Sequence, residues 1–149
     1  MSTEETTKPT GWNGYRFLSI DDIAAMQPGL ARIMPVIAGR YWKLYYAAKA
    51  GNWVHAKFQV GEIQELMKFG SVTRPKYEEN LEKFINDNLG AIETALKNKD
   101  LAAFEEAYHQ GIKDANDFHK VYEKPITWKL PPSPPPGMEF TPRDIGSWP

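Results

Sequence analysis

The stretch LARIMPVIAGRYWKLYYAAKA, residues 30–50, carries the clearest structural pattern in this chain. Apolar side chains recur in it every three or four residues, which is the spacing of one face of an α-helix. The pattern comprises Leu30, Ile33, Met34, Ile37, Tyr41, Leu44, Tyr45 and Ala48. It predicts a helix over residues 30–50 that buries this face. Pro35 lies inside the pattern, and it either marks the first turn of the helix or kinks it.

Three later segments repeat this periodicity and are joined by short connections, over residues 52–69, 75–97 and 101–124. Gly70 is a natural stop for the first of these helices, and Pro75 suits the first turn of the next. Asp100 is placed to cap the last helix. We expect that helix to end near Lys124, because Pro125 disfavours helical backbone in the residue before it.

The two ends of the chain differ from its middle. Ser19, followed by two aspartates, can cap a short helix that Pro28 and Gly29 then end. Six prolines between residues 131 and 142 exclude helix and central strand from the C-terminal segment. The segment also contains Phe140 and Trp148, so we expect it to run extended with one of these rings docked on the rest of the protein or on a neighbouring subunit.

The predicted fold is therefore all-α, an antiparallel four-helix bundle with a proline-rich extended tail. Its parts are a flexible N-terminal arm, the bundle and the tail, over residues 1–17, 18–130 and 131–149. The residues expected to be buried are Ile37, Leu44, Ile63, Phe84, Ile92, Phe104, Tyr108 and Ile112.

Composition excludes several classes of function. The 149 residues include 18 basic and 19 acidic side chains, so no basic excess favours nucleic acid or an anionic membrane. The absence of cysteine excludes disulfides, thiolate metal sites and a cysteine nucleophile. No apolar run approaches the roughly 18 residues of a membrane span, and the polar start has no signal-peptide core. A cytoplasmic protein that binds neither nucleic acid nor membrane is the expectation.

Two stretches resemble small helical-bundle c-type cytochromes, with a layout similar to cytochrome c prime. They are RYWKLYYAAKAGNW, residues 40–53, and the region from Phe104 to Trp128 that contains Ala115-Asn-Asp-Phe-His119. The resemblance covers about residues 30–130. In that family a Cys-x-x-Cys-His motif near the end of the last helix attaches haem, whereas here only His119 remains of it. Covalent haem needs thiols, so the resemblance implies a relative that no longer attaches its cofactor.

The resemblance also implies where a ligand would bind. The former haem pocket would lie between the first and last long helices, either filled by side chains or holding a small aromatic molecule. The candidate ligand-binding residues are Tyr41, His119, Arg40, Lys43, Asn88 and Met34. The expected role is a small binding or accessory protein without a cofactor. Two alternatives stay open: a redox or sensor protein that holds non-covalent haem or a metal through His119, and a cofactor-free enzyme that acts on an aromatic or carboxylate substrate through Tyr41 and His119.

Two further groups of residues allow more than one interpretation. A polar stripe follows the second long helix, and it is either the solvent boundary of that helix or a site for a cation or for acid–base chemistry. It comprises Asn52, His55, Gln59 and Glu62. Trp42 and Tyr46 point away from the predicted core, so either the tail covers them or they form, with the tail, a homodimer or partner interface.

Overall fold

The structure is a computed structural model that describes residues 9–124 and 126–144. The described chain is mostly helical. Its helices begin with the short α1 (Ile20–Ala25) and the long α2 (Leu30–Lys49) and α3 (Trp53–Thr73). A 3-10 turn (Pro75–Tyr77), α4 (Glu78–Lys83), a π-helix (Phe84–Leu89) and α5 (Gly90–Lys97) follow without a break in helical backbone, and α6 (Leu101–Val121) is the last. None of the helices described is long and apolar enough to cross a membrane.

A small hairpin that was not predicted from the sequence precedes α1. Strand β1 (Thr10–Trp12) pairs antiparallel with β2 (Phe17–Ser19), and the Trp12 and Phe17 rings lie 5.0 Å apart. Ser19 then caps α1 as expected. Its hydroxyl accepts a hydrogen bond from the Asp22 N–H, and the Asp22 carboxylate accepts one from the Ser19 N–H, which is a capping box.

Gly70 does not end α3, so that prediction is wrong. The helix continues to Thr73, and Gly70 is buried within it. A Cβ at this position would lie 2.8 Å from Leu30 Cδ2, so the Leu30 side chain would have to shift. The missing side chain therefore serves the close approach of α2 to α3 rather than the end of the helix. Pro35 lies in the second turn of α2, inside a helix that continues on both sides of it.

The third helical segment covers the predicted range, but its middle is a π-helix. The wider turn from Phe84 to Leu89 holds three buried side chains, those of Phe84, Asn88 and Leu89. π-Helical turns inside helices are uncommon and occur frequently at functional sites. This segment contacts α6 directly, so its irregular turn shapes the side of the protein where α6 packs.

The helices surround one apolar core. Leu44, Phe104 and Tyr108 are completely buried, and α6 begins at the predicted cap, where the Asp100 carboxylate accepts a hydrogen bond from the Ala103 N–H. Of the eight residues expected to be buried, Ile112 is the exception, because it is only partly covered. Helix α6 also ends at Val121, three residues before the predicted end.

Residues 126–144, which we call the tail in the structure, contain no helix and no paired strand beyond a single bridge, and they follow the surface of α2. The Tyr46 hydroxyl donates to the carbonyl of Pro131 (2.6 Å), and the Trp42 indole N–H donates to that of Ser133 (2.7 Å). Trp42 and Tyr46, which the sequence suggested as one side of an interface, are therefore hydrogen-bonded to the chain's own tail.

The tail is also fixed beyond its prolines. Phe140 packs against the core, and Trp148 lies outside the described residues. The carbonyl of Arg143 accepts from the Trp53 N–H (2.8 Å), and its N–H donates to the Gly51 carbonyl (3.1 Å). The tail thus reaches from the end of α6 to the turn between α2 and α3.

Candidate functional site: a cavity between α2, α6 and the tail

A cavity of about 1050 Å³ lies at one end of the helices. Its walls come from the first half of α2, the segment around α4, the second half of α6, and the tail at Trp128. The apolar and aromatic lining includes Met34, Ile37, Tyr41, Leu81, Phe84, Ile112, Ala115, Phe118 and Trp128. Ile112 is only partly buried because it faces this space instead of the closed core.

Tyr41 and Tyr108 lock α2 to α6 at the inner end of the cavity. Each hydroxyl donates to the other residue's backbone carbonyl, at 2.6 Å from Tyr41 and 2.7 Å from Tyr108. The two rings stack with centroids 4.1 Å apart. Gly111 makes this possible, because a Cβ there would collide with the Tyr41 hydroxyl. The arrangement explains why α6 carries a buried glycine one turn after Tyr108.

Tyr41 is not a free acid or base. Burial, and then the negative charge of Asp114, raise the pKa of its hydroxyl far above the ordinary tyrosine value. The hydroxyl therefore stays protonated, and its proton is already donated to the Tyr108 carbonyl. What Tyr41 offers to the cavity is the apolar surface of its ring.

His119 is the exceptional polar group of the cavity wall. Its Nδ1 atom is buried and has no hydrogen-bond partner among the described residues. Leaving a buried polar atom without a partner costs about 1–3 kcal/mol, so such atoms are uncommon in folded proteins. His119 lines the cavity through the part of its imidazole that remains accessible, while Nδ1 itself is closed to solvent.

The tail wall depends on one side chain of α6. The Asn116 amide donates to the Trp128 carbonyl (3.0 Å) and its oxygen accepts from the Trp128 N–H (2.8 Å). Trp128 also meets the Tyr41 ring edge-on, with centroids 5.7 Å apart. Elsewhere in the lining, the Asn80 amide donates to the Tyr122 hydroxyl. Two parts of the wall are thus held by side-chain hydrogen bonds in addition to helix packing.

The structure brings together three of the six candidate residues and separates the others. Met34, Tyr41 and His119 all line the cavity, whereas Arg40, Lys43 and Asn88 do not. Asn88 is buried in the π-helix, and its amide donates to the Asp114 carboxylate, at 2.8 Å.

The polar stripe on α3 forms a network of its own with Arg40. The Arg40 guanidinium donates to Gln59 (3.1 Å) and lies 3.7 Å from the Glu62 carboxylate. The Gln59 side chain is 2% exposed, and its amide nitrogen lies 2.9 Å from His55 Nε2. Asn52 is occupied as the N-cap of α3, where it accepts from the His55 N–H.

The surroundings keep His55 neutral. Burial, and then the positive charges of Lys43 and Arg40, lower the pKa of its imidazole. A neutral ring can accept the Gln59 amide proton at Nε2, which fits the observed distance. The Phe140 ring of the tail lies 5.2 Å from the imidazole. Within the described residues no group of three or more histidine and acidic side chains is placed to hold a metal ion.

Comparison with protein families, with characterised proteins and with solved structures finds no significant match. The contributions of Trp128 and of the π-helical Phe84 to the cavity were not predicted from the sequence. Trp128 lies outside every periodic segment, and nothing in the local sequence indicates that Asn116 holds it. A π-helix has no simple sequence signal that separates it from an ordinary helix.

Proposed function

We propose that this chain is a small binding protein that holds a small aromatic molecule in the cavity between α2 and α6. We also infer that its four long helical segments form an antiparallel bundle, with residues 131–149 as an extended tail. The observation that carries the functional proposal is the cavity itself. At about 1050 Å³ it is at the upper end of typical ligand sites, which are apolar with a few polar groups. Its lining is of that kind, and His119 contributes an imidazole to it.

Filling the cavity tests this proposal. The probe is phenylnaphthylamine, a neutral aromatic molecule whose fluorescence rises in apolar surroundings. We expect one probe to bind per chain. Ala115→Trp places a large ring inside the cavity and should weaken binding by at least about tenfold, or about 1.4 kcal/mol. The matched control is Ala102→Trp, because Ala102 is exposed on the same helix and outside the cavity. Saturable binding that Ala115→Trp leaves unchanged would refute the proposal.

A second candidate, non-covalent haem, is favoured by one observation. His119 and Ala115 both line the cavity, at positions that the resemblance to c-type cytochromes assigns to the haem site. The chain can supply one imidazole ligand. Tyr41 does not fit as a second ligand, since its hydroxyl is bound to Tyr108 and burial raises its pKa. Haem bound in this way would be extractable by acid acetone. A stoichiometric Soret shift on titration with haem, lost in His119→Ala, would support this candidate, and no shift would exclude it.

A further inference from the structure

The described residues at the mouth of the cavity carry only one sign of charge. Four cationic side chains contribute to its lining, from α2, the α3–α4 connection and the segment after α6: Arg32, Arg74, Lys76 and Lys124. No aspartate or glutamate is among the described residues of this lining. The chain as a whole has 18 basic and 19 acidic residues, so the excess of cationic side chains at the cavity is a local arrangement and does not follow from the composition.

None of these four cations has a carboxylate partner among the residues that the structure describes. Ion pairs with lysine or arginine involve Arg40, Lys49, Lys99 and Lys120 instead, which do not line the cavity. Unpaired cations beside an apolar cavity create a positive potential that attracts an anion into it. Opposite charges at this rim would have cancelled that potential.

Arg74 is held in place at the rim by backbone groups. Its guanidinium donates to the carbonyls of Thr73 (2.7 Å) and Gln27 (3.4 Å). It lies over Gly29, where a Cβ would come within 2.7 Å of Arg74 Nε. Gly29 precedes the first turn of α2, which has no side-chain cap and no acidic residue, so the positive end of this helix adds to the same potential.

We propose that the ligand of this cavity is an anion, with an aromatic body and one acidic group such as a carboxylate or sulfonate. The body would occupy the apolar interior, and the acidic group would lie at the rim near Arg32, Arg74 and Lys76. This inference rests on the proposed binding function and adds the charge of the ligand to it.

Two probes that differ only in one acidic group test the inference. Anilinonaphthalene sulfonate has the skeleton of phenylnaphthylamine plus a sulfonate. We expect the sulfonate to bind at least about tenfold more tightly, with an affinity that falls as salt is added, because exposed charges are screened. Competition between the two probes, and loss of both in Ala115→Trp, would place the sulfonate in the cavity and not on the surface.

Charge removal at the rim gives the second measurement. The double variant Arg32→Gln, Lys76→Gln changes two exposed side chains, and it should weaken the sulfonate about fivefold but phenylnaphthylamine, which carries no acidic group, by much less. The matched control is Lys83→Gln, Lys97→Gln, two exposed lysines outside the lining, which should change neither affinity. Equal binding of the two probes, or an equal loss in the control variant, would overturn the inference but leave the binding function intact. If neither probe binds, both the inference of an anionic ligand and the proposed binding function are refuted.

Discussion

Replacing Gly111 with alanine tests the contact that sets the distance between α2 and α6. The new Cβ would collide with the Tyr41 hydroxyl, whereas its contacts to Tyr41 Cζ (3.4 Å) and Phe84 Cζ (3.6 Å) are ordinary. Alanine itself favours a helix by about 1 kcal/mol over glycine. Against this, forcing an extra carbon into a packed core costs about 1–3 kcal/mol, and losing the Tyr41–Tyr108 hydrogen bond costs about 1 kcal/mol. We expect Gly111→Ala to lower the free energy of unfolding by about 1–3 kcal/mol.

Urea denaturation followed by circular dichroism measures this change. Gly61→Ala is the matched control, because Gly61 lies in α3 with open space where its Cβ would be, and it should stabilise the protein by about 0.5–1 kcal/mol. Tyr41→Phe removes the colliding oxygen, so adding Gly111→Ala to it should cost nothing further. If Gly111→Ala stabilises as Gly61→Ala does, or costs the same with and without the Tyr41 hydroxyl, the reasoning is wrong.

Two further predictions concern the tail and the polar network. Asn116→Ala removes both hydrogen bonds to the Trp128 backbone, so trypsin should cleave the native protein after Lys129 several-fold faster; Asn86→Ala, at an exposed position of the π-helix, should leave the rate unchanged. For His55, the lowered pKa means that below pH 6.5 the unfolded chain binds a proton that the folded protein does not, and stability falls as pH decreases through that window. His55→Gln should reduce this decline between pH 7 and pH 5, measured by urea midpoints, and an identical pH profile in both proteins would contradict the assignment.

The helices were largely predictable because their signals are local. The periodicity of residues 30–50 and the caps at Ser19 and Asp100 depend only on neighbouring residues, and the structure contains all three features. Gly70 was misread because a glycine permits both a helix end and a close helix contact, and only the position of Leu30 in three dimensions decides between them.

The site was predictable only where it follows the helical period. Met34, Tyr41 and His119 share faces that the spacing already directed inward, and the structure brings them to one cavity. Arg40 and Asn88 find partners on other elements, Gln59 and Asp114, which are 19 and 26 residues away in sequence. Pairings between residues so far apart in the sequence depend on the rotation of each helix about its own axis. Hydrophobic periodicity does not define that rotation closely enough to predict which polar side chains meet.

The wall formed by Trp128 has a consequence for how this protein can evolve by substitution. The walls formed by α2 and α6 cannot change independently of the core, because a substitution in either helix that alters the cavity also alters the packing between the two helices. The segment at residues 126–130 has no helical register to preserve, and α6 holds it through Asn116, which contacts its backbone and not its side chains. Substitutions at Ile126, which also lines the cavity, can reshape it while the hydrogen bonds of Trp128 persist. If the cavity binds the proposed ligand, this segment is where ligand preference can change with the least effect on helix packing, although Trp128 and Leu130 themselves pack against the core.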